Sequence, residues 1–358
     1  MKRITIFLFI LTLFSCKKEV QKEFLFSNIS HLNEKEVYLW IGAGTNCRVD
    51  TIKVRNGLFV VNTAPEDAEA MMLFFPKCNQ MISFFGNSDS RLKISGNLSS
   101  PESLVVEGDS VNNSITHYKR SILPEVKALN LANAKADKAW QKDSIKRYEE
   151  LLFAPISRQI KEKFEAKTTA FISKNQSSYQ AIFAAREYFS LTNDIQPLQN
   201  WWHLLKGDNV KEFSAFQELK KIYKQQLPLT VGHNLLAFQT YTTDNRQEYF
   251  YVQSGKKMLV LFWSSADKYS TYLNKKLSAA SFQLAKDTIT YTAISLDDSF
   301  EEWKSAVKDL KTKQLIARGG FQNESIRQLG IGQTPLLLQI GKNTKITKVY
   351  AIGENPLK

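Results

Sequence analysis

The stretch that most constrains the fold is Lys257 to Ser270, K-M-L-V-L-F-W-S-S-A-D-K-Y-S. An unbroken apolar run from Met258 to Trp263 lies between Gly255 and Ser264-Ser265. A run that short, bounded by turn residues, predicts a strand buried on both faces. A helical pattern follows from about Asp267 through Leu284. A buried strand feeding directly into a helix is half of a βαβ unit, and reactive groups sit at the carboxyl end of such a strand.

Gly255-Lys256 before the strand and Phe262-Trp263 at its close resemble the active-site region of thioredoxin-like proteins, specifically the membrane-anchored TlpA/ResA-like redoxins. The resemblance implies C-x-x-C at the helix start. Here the two thiol positions fall on Asp267 and Ser270. Thiol–disulfide exchange needs a thiolate, and neither a carboxylate nor a hydroxyl forms a mixed disulfide. The resemblance therefore implies a fold while the residues argue against the family's activity. Gln333-Thr334-Pro335, just before the apolar run Leu336 to Ile340, adds a second landmark. In thioredoxin-like folds this proline is cis and faces the helix start. X-Pro is trans by default, so the cis expectation comes from the resemblance alone.

Asp267 has two readings. Ser264-x-x-Asp267 matches a capping box, and an anion is favoured in a helix's first turn. Alternatively, Trp263, Asp267, Tyr269 and Ser270, opposite Thr334 and Pro335, form a candidate binding surface. Redoxins hold peptide partners there, so recognition can outlive the thiols. Capping is the simpler account, and the two are compatible. Asp297-Asp298 ends the next expected strand, Thr288 to Leu296. Paired carboxylates suggest acid–base or metal chemistry, but Asp298 with Glu301 reads better as a second capping box. We assign no catalytic residue, metal ligand or cofactor.

The chain begins with Lys2-Arg3, the apolar run Ile4 to Phe14, and Ser15-Cys16. A basic start, a short apolar core and a small residue at the boundary predict a signal peptide over 1–15. The run is shorter than the roughly 20 residues a spanning helix needs. Leu13-Phe14-Ser15-Cys16 resembles a bacterial lipobox, which implies acylation of Cys16 and a lipid-anchored tether over 16–22. The expected location is the bacterial cell envelope, the outer membrane or a periplasmic face, with an envelope protein or peptide as partner. The net charge is +13, but basic and acidic residues interleave, as in Lys135 to Glu150, and read as solvated helix faces. No nucleic-acid recognition motif is present.

Of three cysteines, Cys47 and Cys78 remain after Cys16. Outside the cytoplasm a disulfide between them can persist. Separately buried thiols are an equal reading, and a redox pair is the weakest, because neither lies in C-x-x-C.

Residues 23–108 predict an antiparallel β domain, a sandwich or barrel. Its strands are Glu36 to Ile41, Met71 to Phe75, Met81 to Phe85, Arg91 to Ser95 and Ser103 to Glu107, with a hairpin from Asp50 to Val61 turning at Asn56-Gly57. The Asp50-Thr51 strand, this turn and Val106-Glu107-Gly108 resemble an N-terminal β domain of unknown function that precedes redoxin domains in bacterial lipoproteins. Residues 109–231 predict helices, with Ile156, Ile160 and Phe164 at helical spacing and Pro124, Pro155, Pro197 and Pro228 at starts or breaks. Trp201-Trp202-His203 reads as a packing cluster rather than a binding groove. Residues 232–358 form the expected thioredoxin-like α/β domain, closing with a strand from Lys345 to Ala351 and no room for the usual terminal helix. The fold class is multidomain α+β.

The function this supports is a non-redox binding or scaffold role. The alternative is a thiol–disulfide oxidoreductase or peroxidase, as the resemblance implies. A hydrolytic or metal-dependent activity is disfavoured by only four histidines and by the lack of H-E-x-x-H or G-x-S-x-G.

Overall fold

The computed structural model describes residues 23–42, 47–142, 144–152, 155–286 and 288–350. The expected signal peptide, Cys16 and the tether lie outside the described residues, as does the tail from 351.

The β domain is a sandwich of two four-stranded sheets. Its strands are β1 (Leu25–Ser30), β2 (Glu36–Ile41), β3 (Arg48–Lys53), β4 (Val60–Val61), β5 (Glu69–Phe75), β6 (Gln80–Gly86), β7 (Leu92–Asn97) and β8 (Val105–Glu107). One sheet has the order β4-β1-β7-β8 and the other β3-β2-β5-β6. Alternate residues of both sheets, among them Leu25, Val37, Leu39, Leu73 and Ile94, fill the core between them. The expected wholly antiparallel arrangement needs one correction, because β1 and β7 run parallel.

The predicted hairpin is also reduced. Asn56 and Gly57 have the positive φ values, 51° and 73°, that a tight two-residue turn requires. Only the Arg55–Leu58 rung closes across it. Beyond that rung the arms part: β3 pairs with β2, and β4 joins β1 in the other sheet.

Six helices follow: α1 (Ser110–Gln141), α2 (Ile145–Leu152), α3 (Pro155–Lys174), α4 (Tyr179–Thr192), α5 (Gln196–Leu205) and α6 (Ser214–Gln226). Asp109 caps α1 by accepting from Asn112 N at 2.7 Å. Asn112 then bonds both the N–H and the C=O of Phe85, fastening the helix to β6. Pro124 lies inside α1 and does not break it. An interior proline costs about 3 kcal/mol. Burial of Ile122, Val126 and Leu129 on the helical core, at roughly 1.5–3 kcal/mol each, exceeds that cost. Pro155 and Pro197 do start helices, and Pro228 lies in the 3-10 turn after α6. Trp201 is buried, and its indole donates to Thr169 Oγ1 at 2.9 Å. Trp202 stacks on Tyr223 at 4.4 Å, and His203 is exposed. This is the packing cluster expected.

The C-terminal domain contains β9 (Phe238–Tyr241), β10 (Gln247–Phe250), β11 (Lys257–Trp263), α7 (Lys268–Ala279), α8 (Ser281–Lys286), β12 (Ile289–Ser295), α9 (Phe300–Val307), β13 (Lys313–Ile316), α10 (Glu324–Gln328), β14 (Leu336–Ile340) and β15 (Ile346–Tyr350). The single helix expected to Leu284 is interrupted at Ala280 and becomes α7 and α8. The seven strands form one sheet, β10-β9-β13-β12-β11-β14-β15. β11 lies inside the sheet, parallel to β12 on one side and antiparallel to β14 on the other. Val260 and Phe262 enter one core layer, and Leu259, Leu261 and Trp263 enter the layer under α7 and α9. A parallel βαβ pair followed by an antiparallel hairpin, with Thr334–Pro335 cis before β14, is the thioredoxin-like arrangement.

The helical layer packs on both neighbours. Ala70 and Phe85 of the β sandwich join its core. Leu229 enters the core of the C-terminal domain. Gly330 packs against the end of α6: a Cβ there lies 1.8 Å from Gln225 O, so no larger residue fits without a shift.

Candidate functional site

β11 ends at Trp263, and the chain turns through Ser264 and Ser265 into α7. Asp297, at the end of β12 and 6% exposed, holds this turn. Its carboxylate accepts from Ser264 Oγ (2.6 Å), Ser265 N (2.8 and 3.1 Å) and Ser295 Oγ (2.7 Å). The Ser264 capping role is therefore corrected: its hydroxyl is drawn to Asp297. Asp267 is itself the N-cap of α7, accepting from Tyr269 N at 2.8 Å and Ser270 N at 3.3 Å. The second capping box shifts likewise. Ser299, not Asp298, caps α9, accepting from Glu302 N at 3.3 Å. Asp297 faces inward, so the extended residue that precedes α9 is one position later.

Ser270 Oγ donates to Asp267 Oδ2 at 3.0 Å. The two residues at the positions that the resemblance gives to thiols thus satisfy each other and the helix start. Replacing an N-cap aspartate by alanine costs about 0.5–2 kcal/mol. Asp267→Ala is expected to lower the denaturant midpoint of the C-terminal domain by that amount. An unchanged midpoint argues against the cap.

The expected recognition surface is not open. Trp263, Tyr269, Ser270 and Pro335 are buried, while Asp267 and Thr334 are half-buried. On α2, Tyr148 meets Tyr269 edge-on with ring centroids 5.8 Å apart. Burial raises the Tyr148 pKa, and the nearby Asp137 and Asp267 charges push the same way. The Trp263 indole N–H finds no hydrogen-bond partner among the described residues.

Beside this plug a cleft of about 470 Å³ opens between the helical layer and the C-terminal domain. Pro335, Gln333 and Tyr350 line it from one side, and Tyr148, Lys161 and Asp194 from the other. Asn193 Nδ2 donates to Gln333 Oε1 at 2.7 Å across the junction. Of the expected site residues only Pro335 lines this cleft. Lys161, Asp194 and Tyr148 were not foreseen, since nothing in a helical pattern marks which exposed position will meet a distant domain.

Cys47 and Cys78 are free, half-buried thiols. Strand register explains why no bridge joins them. Cys47 adjoins the Arg48–Ile41–Met71 row, and Cys78 lies beyond Phe75 at the opposite end of the sheet. Four residues of strand span about 14 Å, twice the roughly 7 Å limit between bridged Cα atoms. No group of three or more metal-ligating side chains occurs among the described residues.

No protein-family model and no curated protein matches the chain. Solved structures similar to it include a thiol-disulfide oxidoreductase from Bacteroides fragilis, at 21% identity over 32% of this chain and 88% of that one, TM-score 0.30. Another is the thioredoxin domain of a thiol-disulfide oxidoreductase from Bacteroides vulgatus, at 18% identity over 34% and 89%, TM-score 0.31. A third is a thiol:disulfide interchange protein from a Bacteroides species, at 17% identity over 33% and 80%, TM-score 0.31. The strand order around β11, the α7 start and the cis Thr334–Pro335 bond make the C-terminal domain thioredoxin-like on its own geometry.

Proposed function

We propose that this is a lipid-anchored protein of the bacterial cell envelope whose thioredoxin-like domain binds rather than exchanges disulfides. The observation that carries this reading is the state of the two thiol positions. Asp267 and Ser270 are engaged in capping α7, Tyr269 between them meets the Tyr148 ring, and the domain contains no cysteine. What faces solvent instead is the cleft between α3, the α4–α5 turn and the cis-proline loop. The partner is an envelope protein or peptide. Thiol–disulfide exchange or peroxide turnover by the intact chain overturns this reading in favour of an oxidoreductase, for which Cys47 and Cys78 are the thiol candidates.

The anchor rests on Ser15-Cys16. No described helix is long and apolar enough to cross a membrane. Acyl chains at about 0.8 kcal/mol per buried methylene, several together, hold a protein on a bilayer. Intact mass of the mature chain is expected to show acylation at Cys16, and Cys16→Ala to release the protein from membranes. A soluble wild-type chain starting elsewhere refutes the anchor.

A further inference from the structure

We propose that the cleft takes a small zwitterion of the amino-acid or short-peptide class, its ammonium on Asp194 and its carboxylate on Lys161. This rests on the non-redox binding reading and gives that site a ligand chemistry. Asp194 lies in the turn between α4 and α5, half-buried. One of its oxygens accepts from Gln196 N at 3.0 Å. Among the described residues the other oxygen accepts no hydrogen bond, and Lys161 forms no ion pair or hydrogen bond. Yet both line the same cleft, and the Lys161 charge acts on Asp194.

Two unlike charges on one wall of the cleft, forming no ion pair with each other, select against simple ions. Lys161 repels a lone cation. Asp194 and Glu165, both facing the adjoining smaller hollow, repel a lone anion. A ligand with both charges meets both groups. Burial holds the Asp194 carboxyl above its ordinary range despite Lys161, so it gains from an ammonium at its open oxygen. Burial, with Asp194 and Glu162, raises Glu165 as well, and Tyr188 stands beside both carboxyls. Elsewhere in the lining, the amides of Asn133, Gln226 and Gln333 offer donors and acceptors to a peptide unit, while Leu129, Leu229 and Leu336 offer apolar wall. A volume near 470 Å³ sits in the lower part of the range for small-molecule sites, about 300–1,000 Å³, which limits the occupant to a few residues.

The test is calorimetric titration of the full chain with L-leucyl-L-leucine, N-acetyl-leucyl-leucine and leucyl-leucine amide, with free leucine run to separate an amino acid from a peptide. Saturable binding of dileucine or leucine is expected. Blocking either end should weaken binding at least about tenfold, the worth of one charged hydrogen bond. Asp194→Asn keeps the acceptor for Gln196 N, so the turn survives. It should erase the penalty for acetylation while keeping that for amidation, and Lys161→Gln should do the reverse. Absence of saturable binding, or binding indifferent to both blocked ends and both variants, overturns the zwitterion assignment. Redox silence is measured separately, so failure here and failure of the non-redox reading give different results.

Discussion

The intact chain is expected to reduce no disulfide in an insulin-type assay, and Asp267→Cys with Ser270→Cys to gain only slow exchange until Tyr148 is also removed. Reduction begins with thiolate attack on a disulfide sulfur. The C-terminal domain has no sulfur nucleophile, and Cys47 and Cys78 stand at opposite ends of a β sheet. The double variant places two thiols one helical turn apart at the N-terminus of α7, where the helix dipole lowers a thiol pKa. Access remains the obstacle. Residue 270 is fully buried, and Tyr269 beside it is covered by the Tyr148 ring. Adding Tyr148→Ala should raise the rate at least tenfold over the double variant, with Tyr148→Ala alone inactive. Turnover by wild type refutes the non-redox reading. Equal rates for the double and triple variants refute the covering role of α2.

The parts of this molecule that were legible in the sequence are those with a local cause. β11 is a short apolar run with glycine before it and serines after, and the register of its burial follows directly. β2 and β6 alternate and are found within a residue or so of their expected bounds. Asn56-Gly57 forms its turn because both residues tolerate positive φ. What the turn connects was not legible: which sheet each arm joins depends on partners β2 and β1, chosen by packing across the sandwich. Capping failed in the same way. A three-residue spacing identifies Ser264 and Asp298 as candidates, but the donors that claim Asp297 come from two strand ends brought together only by the fold. Pro124 stayed helical because tertiary burial outweighed a local penalty. The cover over the expected recognition surface is the largest gap. Tyr148 sits in a charged helix with no motif, and only tertiary docking makes it the neighbour of Tyr269.

Asp297→Ala is expected to carry a large stability cost. Its side chain gathers three donors from two adjacent strand ends, in a pocket where the group is 6% exposed. Asp297→Ala leaves Ser265 N and two serine hydroxyls without their acceptor. Each donor so stranded costs about 1–3 kcal/mol, less where a hydroxyl can turn to water. The sum expected is about 2–5 kcal/mol, among the large values for single substitutions. Asp297→Asn retains one acceptor oxygen for Ser264 and Ser265 but presents an NH₂ group to the Ser295 hydroxyl, so about 1–2 kcal/mol is expected. Urea unfolding followed in the C-terminal domain measures both, read as a shift in midpoint at unchanged slope. A loss below about 0.5 kcal/mol for alanine shows that water replaces the carboxylate and that the turn does not depend on it. The consequence extends to the site, because the Ser264–Ala266 turn sets where Asp267 enters α7. If Asp297 holds that turn, its removal should also weaken the Tyr148–Tyr269 contact, read as faster amide exchange across α2 than in wild type.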